Sequence, residues 1–154
     1  MDKLNAVVVN TPVGDLGLVE CDGQLVRLDW QGTRLGEVTE TLKNAATQVL
    51  AYFAGTLRDF DLPLAPRGSA FQRQVYAAMQ AIPYGSTQTY GELAQQIDGF
   101  AQAVGQACGS NPLPLIIPCH RVLARGGLGG YSGHGGIETK IVLLQHEGAY
   151  PFLL

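Results

Sequence analysis

The stretch Ser86–Ser110, STQTYGELAQQIDGFAQAVGQACGS, decides how the second half of this chain is read. Its first part supplies a short helix, Asp98-Gly99 forms a turn, and FAQAVGQACGS supplies a second helix rich in small residues. Helix, tight turn and helix of small side chains is the layout of a helix-turn-helix, whose second helix enters a DNA groove. Packed helix pairs without that role share the pattern, so it speaks for architecture before function.

Upstream, Ser69 can cap a helix through AFQRQVYAAMQAI, closed by Pro83 and Gly85. The connector DLPLAPRGS, with two prolines and a glycine, marks a domain boundary and divides the chain into residues 1–65 and 66–154. Before it, AVVVNTP, LGLVEC and LVRLDW read as strands, the last two joined by a hairpin turn at Asp22-Gly23. Leu35, Val38, Leu42, Ala45, Ala46, Val49 and Phe53 recur at helical spacing, with Gly55 as the stop. The expected fold class is α+β: a small N-terminal β-sheet plus helix domain, packed on a mostly helical C-terminal domain that contains the helix-turn-helix.

Downstream, Leu115-Ile-Ile-Pro-Cys-His-Arg-Val-Leu123 reads as an apolar strand broken by Pro118, presenting Cys119 beside His120. A glycine-dense loop follows, RGGLGGYSGHGG. The last helix, IETKIVLLQHEG, places Ile137, Ile141 and Leu144 on one face and ends at Gly148.

Composition bounds the possibilities. Hydrophobic residues make up 46% of the 154 and charged residues 15%, which fits a compact globule. No apolar run approaches a bilayer span, and MDKLNAVVVNTPVG lacks the pattern of a signal peptide. The cysteines, Cys21, Cys108 and Cys119, are odd in number and scattered. They form no disulfide framework and point to the cytoplasm. Residues 1–65 carry nine acidic against five basic side chains, and residues 66–154 four against five. A nucleic-acid surface would therefore lie in the second half.

Cysteine chemistry needs a thiolate, hence a group to take the proton and another to orient that group. His120 is the candidate base, directly or through water, and Glu147 the candidate orienting acceptor. The other reading of Cys119 is a small buried core residue. A cysteine hydrolase needs the same three residues and has nothing further in its favour. No Cys or His pairs stand at metal-ligand spacing, so neither metal nor cofactor is expected.

PYGSTQTYGELA, AVGQACGSNPLPLIIPCHRV and KIVLLQHEG, in that order, make the chain resemble the O6-alkylguanine-DNA alkyltransferases, or methylated-DNA–protein cysteine methyltransferases. The resemblance covers residues 69–149 and extends more loosely over the N-terminal part. It implies direct-reversal DNA repair: an alkyl group passes from O6-alkylguanine, and by extension O4-alkylthymine, to Cys119 in a single self-inactivating turnover. It implies that His120 accepts the thiol proton through water, Glu147 orients His120, and Asn111 braces the turn under the site. Tyr90 would stand by the flipped base and donate a proton to the departing guanine. Tyr131 and Ser132, with Gly130 and Pro114, would form the substrate pocket. Ala101, Gln102, Ala103, Thr89 and Arg121 would meet double-stranded DNA through the minor groove. The protein is expected to be a monomer with no membrane association.

Two departures accompany the resemblance. Gln102 stands where the family carries an arginine that fills the space left by the extruded base. The 47 residues between Arg73 and Arg121 hold no Lys or Arg, so DNA binding is expected to be weak and comparatively insensitive to salt. Two alternatives follow: a divergent member that takes alkyl groups from a non-DNA donor, and a weakly binding damage sensor that does not transfer.

Overall fold

The computed structural model describes residues 3–150, which separate into two compact units that divide between Arg67 and Gly68. The architecture is mixed α and β, as expected.

In the first unit, β1 (Leu4–Thr11), β2 (Gly14–Cys21) and β3 (Gln24–Trp30) form an antiparallel sheet in the order β1-β2-β3. Asp22 and Gly23, at φ +52° and +80°, form the two-residue turn that the Asp-Gly pair predicts. The helix α1 (Glu40–Phe53) buries Leu42, Ala45, Val49 and Tyr52, a stripe at helical period, and meets all three strands. It begins later than the apolar spacing suggests. Leu35 instead exchanges backbone hydrogen bonds with Ala6 (2.8 and 3.1 Å), Gly36 turns at φ +63°, and Thr39 caps Leu42 N. Leu35 and Val38 are half exposed; their spacing is coincidental.

The second unit opens with α2 (Ala70–Gln80), started by a capping box in which Ser69 and Gln72 satisfy each other's backbone amides. After the two-residue strand β4 (Gln88–Thr89) comes α3 (Tyr90–Gln96), capped reciprocally by Thr89 and Glu92. The next helix, α4 (Ala101–Gly109), packs with α2 and α3. Val75, Met79, Leu93, Val104, Leu113, Ile117, Leu143 and Leu144 are fully buried in this unit. Strand β5 (Val122–Leu123) pairs parallel with β4, and α5 (Ile137–His146) closes the unit.

Two expectations are corrected here. The apolar run Leu115–Pro118 is a turn, not a strand. Asn111 holds it from inside, accepting from Leu113 N (3.0 Å) and donating to Ile117 O (2.8 Å). Ile117 N closes back on Leu113 O, and Leu115 sits at φ +74°, a conformation that a branched side chain adopts only when its surroundings impose it. Second, α5 does not bury the Ile137 face: Ile137 is exposed. Its inner face is Thr139, Lys140, Leu143 and Leu144, and Glu147 just past its end is buried as well. No helix among the described residues is long and apolar enough to cross a membrane.

Candidate active site

The Asn111-braced turn delivers the chain to a single 3-10 turn, Cys119–Arg121, in which all three side chains are buried. The pairing of β4 with β5, Gln88 with Val122 and Thr89 with Leu123, then sets the start of α3 beside the segment that follows Cys119. This is how Tyr90, 29 positions upstream in sequence, reaches the same cavity.

That cavity measures about 470 Å³ and is lined by Tyr90, Gly105, Cys108, Gly109, Cys119, Gly130, Tyr131 and Ser132. The glycine loop lies close against its wall. Gly129 is at φ +72°, and a Cβ there would come 3.0 Å from the Tyr90 ring and 3.1 Å from Ala124 N.

Cys119 is 5% exposed, so its sulfur is recessed. Burial pushes its thiol up, while the Asn111 side chain and the nearby Lys140 charge pull it down. His120 is fully buried, and burial holds it below its ordinary value against the opposing pull of Glu147. Its Nε2 lies 2.8 Å from Glu147 Oε2, and its buried Nδ1 has no hydrogen-bond partner among the described residues. A carboxylate only accepts, so Nε2 carries the hydrogen and Nδ1 is the free basic nitrogen.

Glu147 is fixed from the other side by Arg121, whose Nε donates to Oε1 (2.8 Å) and Nη2 to Oε2 (3.0 Å). Arg121 Nη1 donates to Ile82 O (2.7 Å), and its guanidinium lies 5.8 Å from the Tyr84 ring centroid. The expectation that Arg121 meets DNA is therefore corrected: the side chain is 6% exposed and wholly engaged inside. Arg121 instead braces the active-site segment from within.

Lys140 was missed in the sequence because a lysine on a helix is ordinarily solvated. Here it is fully buried, and Nζ donates to Val122 O (2.7 Å) and Gly130 O (2.9 Å), tying β5 to the pocket loop. Burial lowers its ammonium to about 8. Cys108, to which the sequence assigned no site role, also lines the cavity; burial raises its thiol to about 12. The signal that could have found both is periodicity. Lys140 stands four residues before Leu144 and seven before Glu147, and Cys108 stands three after Gly105.

Other expected residues fall as follows. Pro114 is buried in the Asn111 turn and is not among the cavity-lining residues. Ala101 and Gln102 are exposed, and Ala103 half-buried, at the start of α4. Thr89 is half-buried, its hydroxyl capping α3. No group of three or more Cys, His, Asp or Glu that could hold a metal occurs among the described residues.

The model of the 6-O-methylguanine DNA methyltransferase DNA binding domain matches residues 70–149, and that of the same enzymes' ribonuclease-like domain matches residues 6–66. A methylated-DNA–protein-cysteine methyltransferase of Mycolicibacterium paratuberculosis is 45% identical over 149 residues, covering 90% of this chain and 89% of the relative. The crystal structure of the Mycobacterium tuberculosis O6-methylguanine methyltransferase superposes with a TM-score of 0.83 at 37% identity, covering 99% of this chain and 97% of that one. The same organism's protein in complex with DNA gives 0.80 at 40% identity, over 94% and 92% of the two chains. On these matches, which together span both units, the chain belongs to the 6-O-methylguanine DNA methyltransferase family.

Proposed function

We propose that the protein repairs DNA by direct reversal, moving an alkyl group from O6 of guanine to Cys119 in one turnover. The observation that carries this reading is the recessed Cys119 on the wall of a base-sized cavity, beside a histidine whose far nitrogen is locked by a buried carboxylate.

The chemistry follows from the arrangement. His120 Nδ1 takes the Cys119 proton, directly or through one water, and the imidazolium is stabilised by Glu147 through Nε2. The thiolate attacks the alkyl carbon. A carbon–sulfur bond forms, the carbon–O6 bond breaks, and its electron pair returns to the guanine, which takes one proton. Tyr90 is the donor the cavity offers: its phenol lines the pocket, and burial holds it protonated. A thioether is not readily hydrolysed, so turnover is single. Asn111 holds the turn beneath Cys119, and Tyr131, Ser132 and Gly130 contact base and alkyl group.

A base stacked in duplex DNA cannot present O6 to a cysteine only 5% exposed, so the nucleotide must leave the stack. The DNA face is α3–α4, with Ala101, Gln102 and Ala103 nearest the groove. Between Arg73 and Arg121 that face has no cation, so binding is weak and its dependence on salt shallow. Three cysteines, odd in number and scattered along the chain, suit a reducing cytoplasm.

Intact mass spectrometry after mixing with a duplex carrying O6-methylguanine tests the reading. Gain of one methyl, mapped to Cys119, supports it. Binding without gain, or gain only from a small alkyl donor, would replace it with the sensor or the non-DNA alternative.

A further inference from the structure

Phe100 precedes α4 and is its N-cap residue, yet it makes no side-chain cap. It is 82% exposed, whereas the other exposed large hydrophobics lie between 39% and 52%. In sequence it is flanked by Gly99 and Ala101, with Asp98 and Gln102 two positions away, and the Phe71 ring lies beside Gly99. One strongly exposed ring falls short of a protein interface, which needs a contiguous patch of about 1,200 Å² or more. It does fit a slot one aromatic ring thick.

The position of the ring along α4 matters. The same helix lines the cavity with Gly105, Cys108 and Gly109. At 1.5 Å per residue, Phe100 stands roughly 8 Å along the axis from Gly105. That is between two and three base steps of about 3.4 Å. A nucleotide taken into the cavity therefore leaves its gap within reach of this end of the helix. Apolar side chains inserted between base steps unstack and kink a duplex, and need no charge to do so. Gln102, also exposed here, is short and uncharged and cannot stack as a ring does.

We propose that Phe100 is an intercalating wedge: its ring enters the base stack beside the damaged pair, opens the step, and holds the gap while the nucleotide occupies the cavity. The assignment rests on the reading of α3–α4 as the DNA face. It supplies that face with an apolar means of extrusion in place of a cationic one. It also predicts that the face grips DNA by stacking more than by phosphate neutralisation.

The test compares the wild-type chain with F100A and F100W. The DNA is a duplex carrying O6-methylguanine, with 2-aminopurine as the neighbouring base to report unstacking. Wild type and F100W are expected to raise the 2-aminopurine fluorescence. F100A is expected to reduce that rise, and the single-turnover methyl-transfer rate on the duplex, by about tenfold, the loss of one stacked ring. Transfer from a single-stranded oligonucleotide, which has no pair to open, should change little. Equal fluorescence and equal duplex rates for wild type and F100A overturn the wedge, as does an F100A loss of equal size on single strands. A change confined to self-association in sedimentation assigns Phe100 to a second copy of the chain and overturns it too. Failure of the underlying reading looks different: the wild type gains no methyl group from any of these DNAs, whatever the fluorescence shows. Fluorescence then still decides whether Phe100 opens a step.

Discussion

Glu20 and Glu147 are buried almost equally, 4% and 5% exposed, one in each unit of the chain. Their surroundings differ in kind. Glu20 receives Asn5 Nδ2 at 3.0 Å and Gly23 N at 2.9 Å, and Asn5 in turn accepts from Glu37 N. All those donors are fixed amides, and the network pins a hairpin and a loop. Glu147 is held by a guanidinium on one side and an imidazole on the other. The guanidinium keeps its charge, while the imidazole can change protonation. The same residue type at the same burial is thus static in one unit and poised in the other. The partners decide which.

The comparison breaks most visibly at Glu147. E147Q leaves the buried Arg121 without its counter-charge, and losing one partner of a buried pair costs about 3–5 kcal/mol. Its single amide oxygen cannot serve both Arg121 and His120, and it carries no charge to stabilise the His120 imidazolium, so the methyl-transfer rate should fall about 10²-fold or more. Urea unfolding and single-turnover transfer measure the two effects separately. An unchanged rate in a folded E147Q protein would make Glu147 as static as Glu20.

Next in size is Lys140. K140M strands the carbonyls of Val122 and Gly130, at about 1–3 kcal/mol for each unsatisfied group. A pH signature accompanies it. The ammonium sits at about 8 in the folded chain against 10.5 for an ordinary lysine, so over that range the unfolded chain keeps a proton that the folded one gives up. By this group alone, stability rises with pH through the window. Cys108, raised from 9.0 to about 12, works in the opposite direction above pH 9. The rise should therefore be clearest between pH 8 and 9 in urea titrations, and absent in K140M.

How far all this could be read from the sequence depends on which signals are local. The Asp22-Gly23 turn, the Ser69 and Thr89 caps, and the two helices flanking the Asp98-Gly99 turn are written in adjacent residues, and the chain forms them where they are read. Cys119, His120 and Glu147 were singled out by chemistry before any geometry, and His120 and Glu147 meet at 2.8 Å. Most of the failures are cases where one specific partner outweighs a local preference. Leu115–Ile117 has the composition of a strand, but two hydrogen bonds from Asn111 bend it into a turn. The inner face of α5 is disguised because Lys140 and Glu147 are polar. Arg121 looked like a phosphate ligand because nothing in its neighbourhood of the sequence reveals Glu147, 26 residues away.

E20Q sharpens the comparison from the static side. The amide keeps one acceptor oxygen and turns the other into an NH2 that faces a donor, Asn5 Nδ2 or Gly23 N, so one hydrogen bond is lost at about 1–3 kcal/mol. The methyl-transfer rate per folded molecule should not change. A fall in that rate beyond the loss of folded protein would show that the first unit feeds the site after all.

The smallest effect belongs to Cys108, which shares the cavity with Cys119 but not its chemistry. Its sulfur lies 3.5 Å from Met79 Sδ in an apolar wall, and a thiol held at about 12 is protonated at neutral pH. The thiol form is a poor nucleophile, and no base is held against Cys108 as His120 is held by Glu147. Alkylation should therefore map to Cys119 alone in peptide digests of the wild-type protein, and C108A should transfer at the wild-type rate. Its cost is the removed sulfur contact, about 1 kcal/mol or less at neutral pH. Above pH 9 the sign turns. The wild type loses stability as the unfolded thiol ionises and the folded one does not, whereas C108A lacks that component. The gap between the two proteins should then narrow. Alkyl groups found on Cys108 would mean that burial beside the substrate is enough, and that the Glu147–His120 pair is not what selects the acceptor.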